Sequence, residues 1–261
     1  MSELSVGILT RKGSPTAAES ALSDTLGLPL ISSEQLALGK PEFYLCYAET
    51  GLSLNANDAR TSAAVVVDFD NKKLTRRAGD GLRQQNLIKA IGLKKRQTLR
   101  VLDATAGLGS DGFLLARAGC EVRLLERNTV VHALLEDGMQ RALKGSRSPA
   151  TRDAVSRMQL TRADFNQAAA QLGSYQVIYI DPMYPLRHKS AKSKKSMQLL
   201  QQLLGETADV PGILELALQH ATERVVIKRG KQSPSYAGVS PDISFKGSSS
   251  RFDVYLIAGI L

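Results

Sequence analysis

An acidic residue, a proline, a free position and an aromatic stand together at Asp181-Pro182-Met183-Tyr184, directly behind the apolar run 176–180. At the end of a buried strand, that order suits the capture of a planar nitrogen. The lone pair of such a nitrogen is delocalised into the ring or carbonyl beside it. Hydrogen-bond acceptors on its N–H groups restore electron density before it can attack a methyl group. The Asp181 carboxylate and the Pro182 carbonyl are the candidate acceptors, and Tyr184 is the candidate stacking partner. Asp-Pro after a strand is also a common turn, because proline presets one backbone angle and Asp hydrogen-bonds its own backbone. The surrounding motifs decide between the two readings.

The second chemical stretch is Asp103-Ala-Thr-Ala-Gly107-Leu-Gly109-Ser110-Asp111-Gly112. It joins an expected strand at 99–104 to an expected helix at 111–118. Gly107 and Gly109 permit a tight turn and close approach of backbone to ligand. Open α/β sheets bind ligands at such carboxyl strand ends. Read literally, Gly107-x-Gly109-x-x-Gly112 is a dinucleotide fingerprint, with Glu126 near the place of its ribose-binding acid. The same residues fit the S-adenosylmethionine loop, D-x-x-x-G-x-G, with Asp103 at its head. Three features favour the second cofactor. A carboxylate at the loop's head suits a cationic amino group and sulfonium, not an anionic pyrophosphate. Ala163-Asp164 follows the third expected strand, where an acid can accept from an adenine amino group. D-P-M-Y has no place in hydride transfer. Glu126, with Arg127 beside it, is then expected to accept from both ribose hydroxyls.

Behind the target motif runs a basic segment in which Arg187, Lys189, Lys192, Lys194 and Lys195 fall within nine residues. No acid appears between Asp181 and Glu206. Such a run suits a phosphate backbone led towards a pocket, and it agrees with a net charge of +9. Lys228, Arg229 and Lys231, with Lys246 and Arg251, form a second candidate phosphate contact. Lys72, Lys73, Arg76 and Arg77 form a third. Cys46 and Cys120 lie far apart without metal-ligand spacing, so reduced packing thiols are expected and no metal. No apolar run approaches the roughly 20 residues that span a bilayer, and no signal peptide is visible at the N-terminus, so a cytoplasmic protein is expected.

The elements that must position these groups alternate strand and helix from residue 99 onward. Strands are expected at 99–104, 121–126, 159–163, 176–180, 224–228 and 251–257. Helices are expected at 111–118, 128–143 and 213–222, with Asn128 as an N-cap. That alternation predicts an α/β, Rossmann-like, mostly parallel sheet with helices on both faces. Residues 1–80 read as a small, mostly β N-terminal subdomain with short strands at 43–47, 52–54, 63–69 and 73–76. A helix is expected at 81–91, opening the larger domain at 81–261. The polar stretch 144–157 reads as an exposed loop.

The whole set of motifs resembles the bacterial 16S ribosomal RNA (guanine-N2)-methyltransferases of the RsmJ type. The likeness is carried by D-A-T-A-G-L-G-S-D at 103–111, L-L-E-R-N at 124–128, D-P-M-Y-P at 181–185, V-V-I-K-R at 225–229, and K-G at 246–247 with R-F-D-V-Y at 251–255. It implies a seven-stranded class I methyltransferase fold. It also implies S-adenosylmethionine contacts at Ser110, Asp111, Glu126, Arg127, Ala163, Asp164 and Asp181. The implied product is N2-methylguanine in 16S ribosomal RNA, with that RNA or the small ribosomal subunit as partner. D-P-x-Y by itself serves adenine N6 and protein glutamine equally. A dinucleotide-dependent oxidoreductase and a non-catalytic RNA-binding assembly factor are the alternatives from other classes. Oligomeric state is not legible.

Overall fold

The computed structural model describes residues 5–11, 13–58, 64–94, 98–182, 195–204 and 212–257. The chain divides into two compact units, Met1–Val67 with Pro185–Glu206, and Asp68–Tyr184 with Thr207–Leu261. Residues 68–80 therefore group with the larger unit rather than with the N-terminal one.

The smaller unit runs β1 (Val6–Leu9), α1 (Ala17–Leu26), β2 (Leu30–Ile31), α2 (Ser33–Ala37), β3 (Phe43–Ala48), β4 (Gly51–Ala56) and β5 (Ala64–Val66). Its sheet has the order β2-β1-β3-β4-β5, with β1 parallel to both neighbours and β3, β4 and β5 antiparallel. Ile8, Leu45 and Leu54 are fully buried in it. Both helices begin in capping boxes, Thr16 with Glu19 and Ser32 with Gln35, which satisfy the free N–H groups of the first turn. These helices make the unit α+β.

The larger unit holds α3 (Lys72–Arg77), α4 (Asn86–Ala90), β6 (Arg100–Asp103), α5 (Ser110–Arg117), β7 (Glu121–Leu125), α6 (Thr129–Gly145), α7 (Pro149–Ser156), β8 (Met158–Thr161), α8 (Phe165–Ala168) and β9 (Tyr175–Ile180). α9 (Lys195–Leu204) belongs to the smaller unit. The larger unit then resumes with α10 (Ile213–His220), β10 (Ala221–Gly230), β11 (Ile243–Lys246) and β12 (Ser250–Leu256). Its seven strands are ordered β11-β12-β10-β9-β6-β7-β8. Pairings from β8 through to β10 are parallel, and β12 is antiparallel to β10 and β11. In β9, Val177, Ile178 and Ile180 are 0% exposed. A central parallel strand is covered on both faces, so its sequence from Val177 to Ile180 is an unbroken apolar run.

The order fixes where a site can form. From β6 the chain builds outward through β7 to β8, then returns to the other side of β6 with β9. The direction reverses between β6 and β9, and a ligand crevice opens beyond their carboxyl ends at such a switch point. The loops that leave those two ends are the ones beginning at Ala104 and at Asp181.

Two local expectations are corrected. The stretch 144–157 is not a loop, because α7 fills most of it. Ser148 caps the helix by accepting from the Thr151 N–H, and Pro149 supplies the first position. Its few apolar residues, Ala154 and Val155, are completely buried against α5 and α6. The stretch 73–76 is not a strand. Asn71 accepts from the Lys73 and Leu74 N–H groups and starts α3, so the Asp70-Asn71 turn signal is a helix cap.

Candidate active site

The two strand ends are fastened to each other. The Thr105 hydroxyl accepts from the Asp181 N–H at 2.7 Å, and the Ala104 N–H donates to the Tyr179 carbonyl at 2.9 Å. The cofactor loop and the target motif therefore share one rigid base.

Above that base lies a chain of charges. Lys228, near the end of β10, donates from Nζ to Asp181 Oδ2 at 2.7 Å and to Asp111 Oδ2 at 2.8 Å. The Tyr179 hydroxyl also donates to Asp111 Oδ2, at 2.8 Å. Arg77 Nη2 lies 3.5 Å from the other Asp111 oxygen. Burial pushes Asp111 up, but the Lys228 ammonium, the Tyr179 hydroxyl and Arg77 together hold it below the usual carboxylate value. Asp181 has less help. Burial raises it to about 6, against the pull of Lys228 and with a push from Asp111. Its side chain is still 34% exposed, so it remains open to a ligand. Burial lowers Lys228, but its two carboxylates outweigh that and keep it a firm cation. Two acids sharing one ammonium titrate as a group.

The cofactor loop is shaped by glycine. Gly107 and Gly109 have φ of 53° and 73°, the left-handed region that side chains disfavour. A Cβ on Gly109 would stand 2.6 Å from Leu135 Cδ1, and one on Gly112 would stand 2.5 Å from Leu124 Cδ2. Those two glycines let α5 settle on α6 and β7. Gly107 differs, because nothing lies within 4 Å of its Cβ position. Its bare side faces open space and suits close ligand approach. Glu126 fixes the loop from below, accepting from the Gly107 N–H at 2.9 Å and from the Asn128 N–H at 2.7 Å. Burial raises Glu126, and those two N–H groups oppose the rise. Each oxygen keeps a second lone pair for a ribose hydroxyl.

Asp103 tests the fit to the cofactor. It is 2% exposed, and its one hydrogen bond among the described residues comes from the Thr105 N–H at 3.2 Å. Burial, with Asp111 and Asp181 nearby, holds it well above the usual carboxylate value. A buried acid so weakly matched is completed by a cation. The amino group or sulfonium of S-adenosylmethionine would supply such a charge, and the residues present fit it.

The other expected site residues fall into three groups. Ser110 opens α5 at the loop, Ala163 packs against the hydrophobic core, and Asp164 caps α8 while pairing with Arg127 at 3.2 Å. Tyr184, Arg187, Lys189, Lys192 and Lys194 lie outside the described residues, as does the Lys195 side chain. Three phosphate candidates are corrected. Arg229 is 3% exposed, with its guanidinium donating to the Pro234 carbonyl and lying over the Tyr236 ring. Arg251 is buried on Asp253 and on the Gly230, Lys231 and Ser233 carbonyls. Lys228 belongs to the carboxylate cluster. Sequence reasoning misses Thr105 and Tyr179. The signal for Tyr179 is a hydroxyl two residues before Asp181 in the buried run 177–180, which places it on the same face.

The family described as "Putative SAM-dependent methyltransferase" matches residues 31–257. The chain belongs to that family. A ribosomal RNA small subunit methyltransferase J from Nitrosococcus oceani is 43% identical over 240 residues, covering 90% of this chain and 92% of the relative. The protein of the same name from Pseudomonas paraeruginosa is 41% identical over 237 residues, covering 89% and 87%. A crystal structure of a SAM-dependent methyltransferase from Neisseria gonorrhoeae superposes with a TM-score of 0.71 at 31% identity, covering 98% of this chain and 97% of that one. The chain is thus an S-adenosylmethionine-dependent methyltransferase with the expected Rossmann-like fold. Among the described residues, no helix is long and apolar enough to cross a membrane, and no group of three or more His, Cys, Asp or Glu side chains is placed to hold a metal.

Proposed function

We propose that this methyltransferase modifies 16S ribosomal RNA in the cytoplasm, placing the methyl group on the exocyclic N2 of a guanine. The observation that carries the reading is Asp181. It is a half-open carboxylate at the switch point, hydrogen-bonded to Lys228 and anchored through its own N–H to the cofactor loop. The relatives named for small-subunit ribosomal RNA support the substrate class. The choice of guanine rests on the resemblance of the whole set of motifs to the RsmJ-type family, not on the target motif, which serves other planar nitrogens equally.

S-adenosylmethionine, when bound, supplies an electrophilic methyl group on a sulfonium. Glu126 takes the ribose hydroxyls, and Asp103 offsets positive charge at the loop's head. A base inside a helix is out of reach, so the guanine is unstacked or already single-stranded. Its N2 donates to the Asp181 carboxylate and the Pro182 carbonyl, and Tyr184 is the proposed stacking surface. These acceptors return electron density to the amine and aim its lone pair. Positioning then supplies much of the rate. Asp181, ionised and next to the reacting nitrogen, is the proposed first acceptor of the proton that nitrogen sheds.

Labelled S-adenosylmethionine with small subunits from a strain lacking the gene tests the reading. Nucleoside mass analysis is expected to give N2-methylguanosine. Methyladenosine would reassign the target, and no label in RNA would remove the RNA reading.

A further inference from the structure

α3 carries four cations in six residues, Lys72, Lys73, Arg76 and Arg77, and buries Leu74. At roughly 100° per residue the four cations share an arc of about 140°, with Leu74 and the buried Ala78 on the opposite side. All four are exposed. This arrangement works against the helix itself. The first turn holds Lys72 and Lys73 and no acid, where the helix dipole favours negative charge. Lys72 with Arg76, and Lys73 with Arg77, are like-charge pairs four residues apart, which repel. Among the described residues, Lys72, Lys73 and Arg76 take part in no ion pair that would offset this. A helix that needed only a polar face would be served better by acids in its first turn. A dense anion outside the chain removes all of these penalties together.

The position of the ridge gives the anion its identity. Arg77, at one end, touches Asp111 at 3.5 Å. The other oxygen of Asp111 holds Lys228, and Lys228 holds Asp181. The ridge is thus joined to the target motif through two side chains, Asp111 and Lys228. We propose that α3 is a phosphate track, along which the backbone of the RNA substrate lies while its target base reaches Asp181. This rests on the RNA reading above. Contacts of this kind set register and affinity without reading sequence.

The test compares wild type with K72Q/K73Q/R76Q, which leaves Arg77 on Asp111. Binding of a fluorescein-labelled fragment of small-subunit ribosomal RNA is followed by anisotropy between about 50 and 200 mM salt. Each lost phosphate contact removes about 0.7 to 0.9 from the slope of log affinity against log salt, so the triple variant is expected to lose about two to three. A shift in melting temperature with S-adenosylmethionine equal to wild type reports an intact fold and cofactor site. K72R/K73R is expected to keep the wild-type slope, which ties the effect to charge. An unchanged slope in the triple variant, or a lost slope in the arginine variant, overturns the track while RNA methylation by wild type stands. Wild type that transfers no methyl group to RNA removes the RNA reading, and the track with it.

Discussion

Glu126 and Asp181 are both acids that follow the last residue of a strand, yet they are held in different ways. Both oxygens of Glu126 are taken by backbone N–H groups, from Gly107 and Asn128. Asp181 is held through one oxygen by a side chain, Lys228, whose ammonium also serves Asp111. One end of the site is therefore set by the path of the chain. The other is set by the balance of a few charges. The proposed ribose end is shaped before any ligand arrives, whereas the proposed target end responds to pH and to whatever donates to Asp181. This division suits a transferase that binds one invariant cofactor and must aim one selected nitrogen.

The sharpest way to break the comparison is Asp181→Ala. It removes the proposed acceptor of the target nitrogen in the transition state, at an expected cost of about 10²- to 10³-fold in turnover. The fold is expected to survive, because the Asp181 N–H keeps its bond to Thr105. Methyl incorporation at saturating substrates, beside a melting curve, checks both statements; near-wild-type turnover would sink the assignment. The matching change at the other end is Glu126→Ala. It leaves two half-buried N–H groups unmatched, each costing up to about 1–3 kcal/mol. S-adenosylmethionine is expected to bind roughly ten- to a hundredfold more weakly by calorimetry, with turnover at saturating cofactor close to wild type. Loss of turnover with unchanged cofactor affinity would reverse the roles of the two ends.

The same division explains what can be read from sequence. The ribose end is legible, because a loop, its glycines and the next strand's acid lie close together in the chain. Asn128 is legible as the cap of α6 for the same reason. The central strands are legible because burial on both faces writes an unbroken apolar run, as at Val177 to Ile180. The charge cluster is not. Lys228 lies 47 residues from Asp181 and 117 from Asp111, so only the parallel sheet brings them together. A lysine ending a strand reads as a phosphate contact until its partners are seen. Arg229 misleads in the same way, since nothing local announces that Pro234 and Tyr236 enclose it. α7 is hidden because a short helix on the surface needs few apolar residues to dock.

Lys228→Met sharpens the comparison at the target end. Asp181 must be ionised to accept from the target, so activity of wild type is expected to fall as pH drops through about 6. The ammonium is the main influence pulling that value down, while burial and Asp111 push it up. Asp103, Tyr179 and Arg77 surround the same cluster and stay in place. Without Lys228 the acid limb of kcat/KM moves to higher pH. Below the wild-type midpoint, the rate is then about tenfold lower than wild type for every pH unit that the limb has moved. Lys228→Arg is expected to restore most of the wild-type profile. The stability linkage is also fixed in sign. The folded value of Asp181 lies above its unfolded one, so its contribution is full below the ordinary carboxylate value and fades as pH rises through about 6. A Lys228→Met profile superimposable on wild type would leave the ammonium a structural tie only.

The smallest expected effect has the most unusual direction. Asp103 is buried at the head of the cofactor loop, with one N–H for a partner and other acids nearby. Burial raises it, so its ionised form is disfavoured in the fold, and its contribution to stability is lost as pH rises through its folded value. Asn has nearly the same shape and no charge to bury. Asp103→Asn should therefore melt higher than wild type without ligand at neutral pH, and the gain should shrink at acid pH, where the wild-type acid is protonated. The same change removes the anion that meets the cofactor's cation, so stabilisation by S-adenosylmethionine should diminish. An apo protein that melts lower, or a variant with the full cofactor-induced rise in melting temperature, would mean that Asp103 holds the loop rather than the charge. The Glu126 end would then be the sole part of the cofactor site that is matched before binding and needed during it.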